Sequence, residues 1–143
     1  MEKYKIIIDT NLWISLLIGK KLSELSFLCN SDKINVYTCN ELINEYIKIA
    51  SHEKIKKYVT DERIIQVLNL MKESCILTYS DKKVVSSNLR DPKDLFLLSL
   101  AETVNADFIL TGDKDLLTLK QHKHTGIVTY SIFISEVVDF FNI

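Results

Sequence analysis

Two short apolar runs, each followed closely by an aspartate, constrain the fold of this chain more than any other feature. Ile6–Ile8 leads directly into Asp9, and Phe108–Leu110 is followed shortly afterwards by Asp113. Runs without polar alternation are typical of strands that are buried on both faces of a parallel sheet. Because ligands bind at the carboxyl ends of the strands in such sheets, we expect Asp9 and Asp113 to face one pocket.

Strand-like and helix-like segments alternate along the whole chain. The predicted strands are Lys5–Asp9, Ile34–Tyr37, Cys75–Tyr79, Phe108–Thr111 and Ile127–Thr129. The predicted helices cover about 11–18, 22–29, 39–50, 60–74, 93–104 and 133–141. This alternation indicates βαβ units, and so a three-layer α/β/α sandwich with a central parallel sheet of about five strands. With 143 residues, 47% of them hydrophobic, and only three glycines and one proline, residues 1–143 are expected to form a single domain.

Composition argues against several classes of protein. The chain has no apolar run of about 18 residues and no signal-peptide pattern at its amino end, so we expect a cytoplasmic protein without membrane spans. Cys29, Cys39 and Cys75 lack CxxC spacing and predict reduced thiols in or near the core. The net charge of −1 gives no support for binding nucleic acid through overall charge, although a local basic rim would suffice.

The aspartates at the two strand ends also have structural explanations. Asp9 could cap the helix that follows it, but Thr10 or Asn11 could do the same. Asp113 could lie in a Gly-Asp turn, with Asp115 as the cap of the next helix. Neither explanation accounts for acids from two distant strands meeting at one edge of the sheet.

Glu45 is the candidate acid of the helix that follows the second strand. Thr38 to Glu41 matches the S/T-x-x-E capping box, which would account for Glu41 and leave Glu45 one turn later without a structural role. A surface pair with Lys48 is the alternative for Glu45. Glu41 and Glu45 both remain possible occupants of a site on this helix.

Asp94 lies near the start of the most apolar helix. Asp91, which precedes Pro92, is the better cap for that helix, so Asp94 is left to face the edge of the sheet. Together with the other three acids it would form a carboxylate cluster that costs several kcal/mol unless a cation neutralises it. A set of oxygen ligands favours Mg²⁺ or Mn²⁺ over zinc, and a metal-bound water can hydrolyse a phosphodiester.

In their order and spacing, these motifs resemble the PIN-domain family, and they span nearly the whole chain. The matching pieces are Ile7–Asn11, Glu41–Tyr46, Arg90–Asp94 and Thr111–Leu117. The resemblance implies that the metal is bound by Asp9, Glu45, Asp94 and Asp113, with Asp115 as a candidate outer ligand. It implies supporting roles for Asn11 and Thr111, and a cap or outer position for Asp91.

The subgroup that the chain resembles comprises the toxin ribonucleases of prokaryotic toxin–antitoxin systems. The resemblance therefore implies a Mg²⁺- or Mn²⁺-dependent endoribonuclease that acts on single-stranded or structured RNA and is inhibited by a small antitoxin protein. A homodimer could form through Trp13 and Leu16–Ile18, although core packing is the alternative use of those side chains.

Two other functions stay open. One is a housekeeping RNA-processing nuclease of the same family. The other is a receiver-like phospho-signalling domain, which is also α/β with acids around one Mg²⁺. A receiver would carry a lysine at the end of its last strand, where this chain has Thr129–Ser131.

Overall fold

In the parts of the chain that the computed structural model describes, residues 3–79 and 92–143, six strands form one sheet flanked by helices. In chain order the elements are β1 (Tyr4–Ile8), α1 (Thr10–Ile18), α2 (Leu22–Asn30), β2 (Ile34–Thr38), α3 (Asn40–Ala50), α4 (Glu53–Lys56), α5 (Asp61–Ser74), β3 (Ile76–Leu77), α6 (Pro92–Val104), β4 (Phe108–Leu110), α7 (Lys114–Leu119), β5 (Gln121–His122), β6 (Thr125–Val128) and α8 (Tyr130–Phe133), followed by a π-helical turn (Ile134–Val138). The predicted α/β fold with a central parallel sheet is confirmed, and the observed sheet is mostly parallel, with six strands instead of about five.

The strand order creates a crevice at the middle of the sheet. The order is β3-β2-β1-β4-β6-β5, and β1 pairs in parallel with both β2 and β4. Chain connections therefore leave the β1–β4 pair in opposite directions, which is the topological switch point where open α/β sheets bind ligands. Ile8 lies opposite Leu110, and the Asp9 backbone N–H donates to the Leu110 carbonyl at 2.9 Å. The residues that follow β1 and β4 are thus held side by side.

The apolar runs are buried as the sequence predicts. Ile6–Ile8 has no exposed surface, and neither have Ile109 and Leu110. The apolar helix α6 packs on β1 and β4, and its Leu97–Ala101 segment is buried throughout. Burial on both faces explains why these strands show no polar alternation.

Several elements differ from the prediction. β5 was not expected, because a polar two-residue strand has no apolar pattern, and it pairs antiparallel with β6. The last helix begins at Tyr130 rather than at 133 and changes into the π-helical turn before Asp139. β3 is shorter than its predicted span.

Three other expectations concern the core and the membrane. The three cysteines are buried and free, with 3.7 Å between the Cys29 and Cys75 sulfurs. Trp13 and Leu16–Leu17 are buried in the core, which leaves Ile18 as the exposed member of that group. Across residues 3–79 and 92–143, every helix is too short or too polar to cross a membrane.

Candidate functional site

Acidic side chains from four separate parts of the chain line one pocket beside the switch point. Asp9 follows β1, Glu45 comes from α3, Asp94 from the first turn of α6, and Asp113 follows β4. The pocket has a volume of about 160 Å³, and Asn11 also lines it. The structure therefore brings together all four residues that the sequence predicts as metal ligands.

Asp9 occupies the N-cap position of α1 without acting as its side-chain cap. Its side chain is not the cap of α1, and Oδ2 accepts from the Thr111 hydroxyl at 2.8 Å. Asp9 is only 5% exposed. Helix capping therefore does not explain this buried carboxylate.

Thr111 connects the two aspartates at the strand ends. Its hydroxyl donates to Asp9 and accepts from the Asp113 backbone N–H at 3.0 Å. Asp113 Oδ1 in turn accepts from the Asp115 backbone N–H at 2.8 Å. Asp113 is thus the cap of α7, and the expectation that Asp115 caps this helix is wrong. Asp115 is exposed, and its carboxylate is not among the described residues that line the pocket.

The electrostatic environment of Asp9 raises the pKa of its carboxyl above the ordinary range. Burial raises the pKa of Asp9, whereas the hydrogen bonds from Thr111 and from the Thr10 backbone lower it. The negative charges of Glu45 and Asp113 raise this pKa further. An ionised Asp9 is therefore repelled by two of the other pocket acids, and a cation bound among them would relieve that repulsion.

On α3, the structure separates the two candidate glutamates. Glu45 is half-buried and lines the pocket, whereas Glu41 is exposed and is not among the described lining residues. The predicted capping box is wrong: Cys39 is the N-cap of α3, and no side chain caps it. Thr38 instead ends β2, and its hydroxyl is buried without a hydrogen-bond partner in the described structure.

Asp94 is largely buried at the amino end of α6, which begins at Pro92, one residue before the predicted start. The neighbouring candidates Asp91 and Arg90 lie outside the described residues. The proposed cap or outer role of Asp91 therefore remains a prediction.

The ligand atoms offered by the pocket are all oxygens, which suit a hard cation, but they do not form a preformed metal site. Within residues 3–79 and 92–143, no three His, Cys, Asp or Glu side chains stand close enough together to make a ready-made metal site. The four acids instead are four of the residues that line the pocket. Mg²⁺ is usually held by one or two carboxylates and keeps several waters, so such a spread of oxygen ligands fits Mg²⁺ or Mn²⁺.

The pocket also has apolar lining residues that the sequence did not identify. Ile49, Phe96 and Leu97 line it together with the acids. Ile49 follows Glu45 by one helical turn, a spacing that places both on the same face of α3 and could have predicted it. The position of Phe96 had no such sequence signal, since it depends on how α6 packs against the sheet.

Comparison with known proteins gives a family match and two similar proteins. The PIN domain model matches residues 5–115. An uncharacterized protein of Methanocaldococcus jannaschii is 29% identical over 152 residues, which cover 96% of this chain and 94% of that protein. The solved structure of the PIN domain endonuclease Utp24 superposes with a TM-score of 0.47 and 20% identity, and the match covers 78% of this chain and 73% of that one. The matched span 5–115 contains all four pocket acids.

Proposed function

This chain belongs to the PIN domain family, and from that membership we propose that it is a Mg²⁺- or Mn²⁺-dependent endoribonuclease. The family supports a nuclease, and we extend it to a single nuclease domain over residues 1–143 that hydrolyses RNA phosphodiester bonds. The observation that carries the proposal is the pocket at the switch point, where four acids from distant segments line one space. Cores do not gather like charges without a use for them, because each burial costs free energy.

The pocket residues would have two roles, binding the cation and contacting the phosphate or a water. Asp9, Glu45, Asp94 and Asp113 would hold the cation. When bound, the cation supplies a nucleophilic water and stabilises charge on the scissile phosphate. Asn11 lines the same pocket and offers an amide to a phosphate oxygen or a water.

Two neighbouring residues would keep the carboxylates in place. Thr111 orients Asp9 through its hydroxyl and Asp113 through the backbone, and the Asp115 amide holds the Asp113 carboxylate. Outer partners of this kind typically contribute 10- to 100-fold to metal affinity or activity. The Asp115 carboxylate stays a candidate for an outer position.

A toxin role is the finer proposal, with a small antitoxin protein as the partner that blocks the pocket and a homodimer as the assembly. A housekeeping RNA-processing nuclease would use the same pocket, so growth separates the two. Induced expression in a bacterium should arrest growth for a toxin, and Asp9→Asn should relieve the arrest. A receiver-like domain is not supported, because the strand order β3-β2-β1-β4 differs from the 2-1-3-4-5 order of receivers.

The direct test is cleavage of fluorescent RNA oligonucleotides with Mn²⁺, Mg²⁺ or a chelator. We expect Asp9→Asn to lower kcat/KM by about 100-fold or more, since loss of a ligand should exceed the 10- to 100-fold effect of outer partners. The variant should remain folded, because it removes a buried charge and Asn can still accept from Thr111.

A second readout tests the cation itself. Saturating Mn²⁺ should raise the melting temperature of the wild-type protein and have a smaller effect on Asp9→Asn, since a ligand that binds only the native state stabilises it. Asp32→Asn, which makes the same charge change at an exposed turn, is the matched control. Cleavage that survives Asp9→Asn, or that needs no cation, would disprove the proposal.

A further inference from the structure

The lining of the pocket combines two chemically different kinds of residue. The four acids line it together with three apolar residues, Ile49, Phe96 and Leu97. The acids account for a cation and for a phosphate bridged by it. The acids give no reason for an aromatic ring beside them, and packing against the hydrophobic core accounts only for the buried part of Phe96 and Ile49.

Of the apolar lining residues, Phe96 has the aromatic ring, and part of its surface is exposed. It lies two residues after Asp94 on α6 and is half-buried, whereas Leu97 beside it is only 1% exposed. Ile49 is also half-buried, on the other helix that supplies an acid. Two partly open apolar side chains therefore stand next to the carboxylates, one from each helix.

The size of the pocket limits what can touch this surface. A volume of about 160 Å³ is below the roughly 300 Å³ at which drug-sized ligand sites begin. A nucleotide is itself about the size of a small molecule, so the pocket would take only part of one nucleotide of a longer strand. If the phosphate of that nucleotide lies among the acids, the attached base is the part with an apolar face to lay on Phe96.

We propose that Phe96, flanked by Ile49, is a stacking platform for the base adjacent to the scissile phosphate. This inference rests on the proposed nuclease function and makes Phe96 a specificity-determining residue of the same site. A base can reach the ring only when it is not stacked within a duplex. Stacking tolerates every base because each has a π-face, so the platform selects unstacked RNA rather than a sequence.

The test compares Phe96→Leu, which keeps an apolar side chain, with Phe96→Tyr, which keeps an aromatic ring. The substrate is a short RNA with one mapped cleavage position, and a matched RNA lacks the base next to that phosphate. We expect Phe96→Leu to lower kcat/KM on the intact RNA by about 10- to 100-fold, the scale of losing one base–aromatic stack. Phe96→Tyr should cleave like the wild type. On the abasic RNA, wild type and Phe96→Leu should cleave equally, because the partner of the ring is already absent.

A binding measurement gives a readout apart from turnover. An RNA carries the fluorescent base 2-aminopurine at the flanking position, and its fluorescence should be quenched when it binds the Asp9→Asn variant. The quenching should be weaker with the double variant that carries both Asp9→Asn and Phe96→Leu. Phe27→Leu is the matched control, since Phe27 is an aromatic residue of α2, 41% exposed and outside the set that lines the pocket. Melting curves confirm that each variant is folded.

The outcomes separate this inference from the proposed function. If cleavage depends on Asp9 but Phe96→Leu acts like the wild type on intact RNA, the platform is wrong and the nuclease stands. An equal loss on intact and abasic RNA would assign Phe96 a packing role and also overturn the platform. If no Asp9-dependent cleavage is found, the function fails and the platform fails with it.

Discussion

Two regions of this molecule shift the pKa of a carboxyl group in opposite directions. Near the carboxyl end of α6, Glu102 is only 14% exposed and accepts from His122 Nε2 at 2.8 Å and from Lys123. These two hydrogen bonds lower the pKa of Glu102. At the pocket, burial raises the pKa of Asp9, and Glu45 and Asp113 raise it further.

The difference shows which acids serve the fold. A carboxyl whose pKa is lowered on folding contributes stability at neutral pH, whereas one whose pKa is raised costs stability once it is ionised. Glu102 thus belongs to the first kind and Asp9 to the second. A fold that pairs one partly buried acid with a histidine and a lysine, yet sets another acid among like charges, fits a site that receives its cation from solution.

The largest expected effect comes from removing a like charge at the pocket. Glu45→Gln should lower kcat/KM for RNA by about 100-fold or more, because it would remove a cation ligand. The melting temperature should stay level or rise, since one source of repulsion on Asp9 disappears. Steady-state cleavage and thermal melting measure both changes.

Glu41→Gln is the matched control for this prediction, because Glu41 lies one turn earlier on the same helix and is exposed. It should alter neither cleavage nor melting. If Glu41→Gln impairs cleavage and Glu45→Gln does not, the helix position of the site belongs to Glu41.

A smaller effect is expected from breaking the link between the strand-end acids. Thr111→Val deprives Asp9 of its side-chain donor and the Asp113 backbone N–H of its acceptor. We expect a 10- to 100-fold loss of activity and a destabilisation of about 1–3 kcal/mol, measured by denaturant unfolding. Thr111→Ser keeps the hydroxyl and should retain most of both. Wild-type cleavage by Thr111→Val would show that this hydroxyl does not orient the site.

The smallest effect is expected at Glu102 and should leave catalysis untouched. Glu102→Gln should lower the melting temperature at pH 7 by about 2–4 °C, the scale of losing about 1 kcal/mol. Because the folded-state pKa is lowered, the stabilisation is present above the unfolded pKa of about 4.3 and is lost as pH falls through the folded value. Melting curves of both proteins should therefore converge only when the pH falls below the lowered folded-state pKa of Glu102. A difference that is independent of pH would mean that the charge of Glu102 does not matter.

The central half of the fold and the positions of the acids could be predicted from the sequence. Strands buried on both faces leave apolar runs, and parallel strands bring their carboxyl ends to one edge, so Asp9 and Asp113 had to approach each other. Glu45 followed from its helix position. The structure places it in the pocket although the capping box that favoured it is absent.

The sequence misled or gave no signal where competing residues, a short polar strand or tertiary packing decided the structure. Asp113 and Asp115 can each cap a helix, and the choice depends on where β4 ends and on the Thr111 hydrogen bond, which no local pattern reveals. β5 was missed because a short polar edge strand buries too little to leave a pattern. Phe96 lines the pocket only through tertiary packing, so its position could not be predicted from the sequence.

The two edge strands of the sheet affect how copies of this molecule associate at high concentration. With a net charge of −1, electrostatic repulsion between copies is weak, and self-association through the sheet would otherwise be a hazard. The described edge strands, β3 and β5, are each only two residues long. Edges this short offer an incoming strand few hydrogen bonds, even though Leu77 is 58% exposed. Colloidal stability of the protein is therefore expected to depend on the shortness of its edge strands more than on its charge.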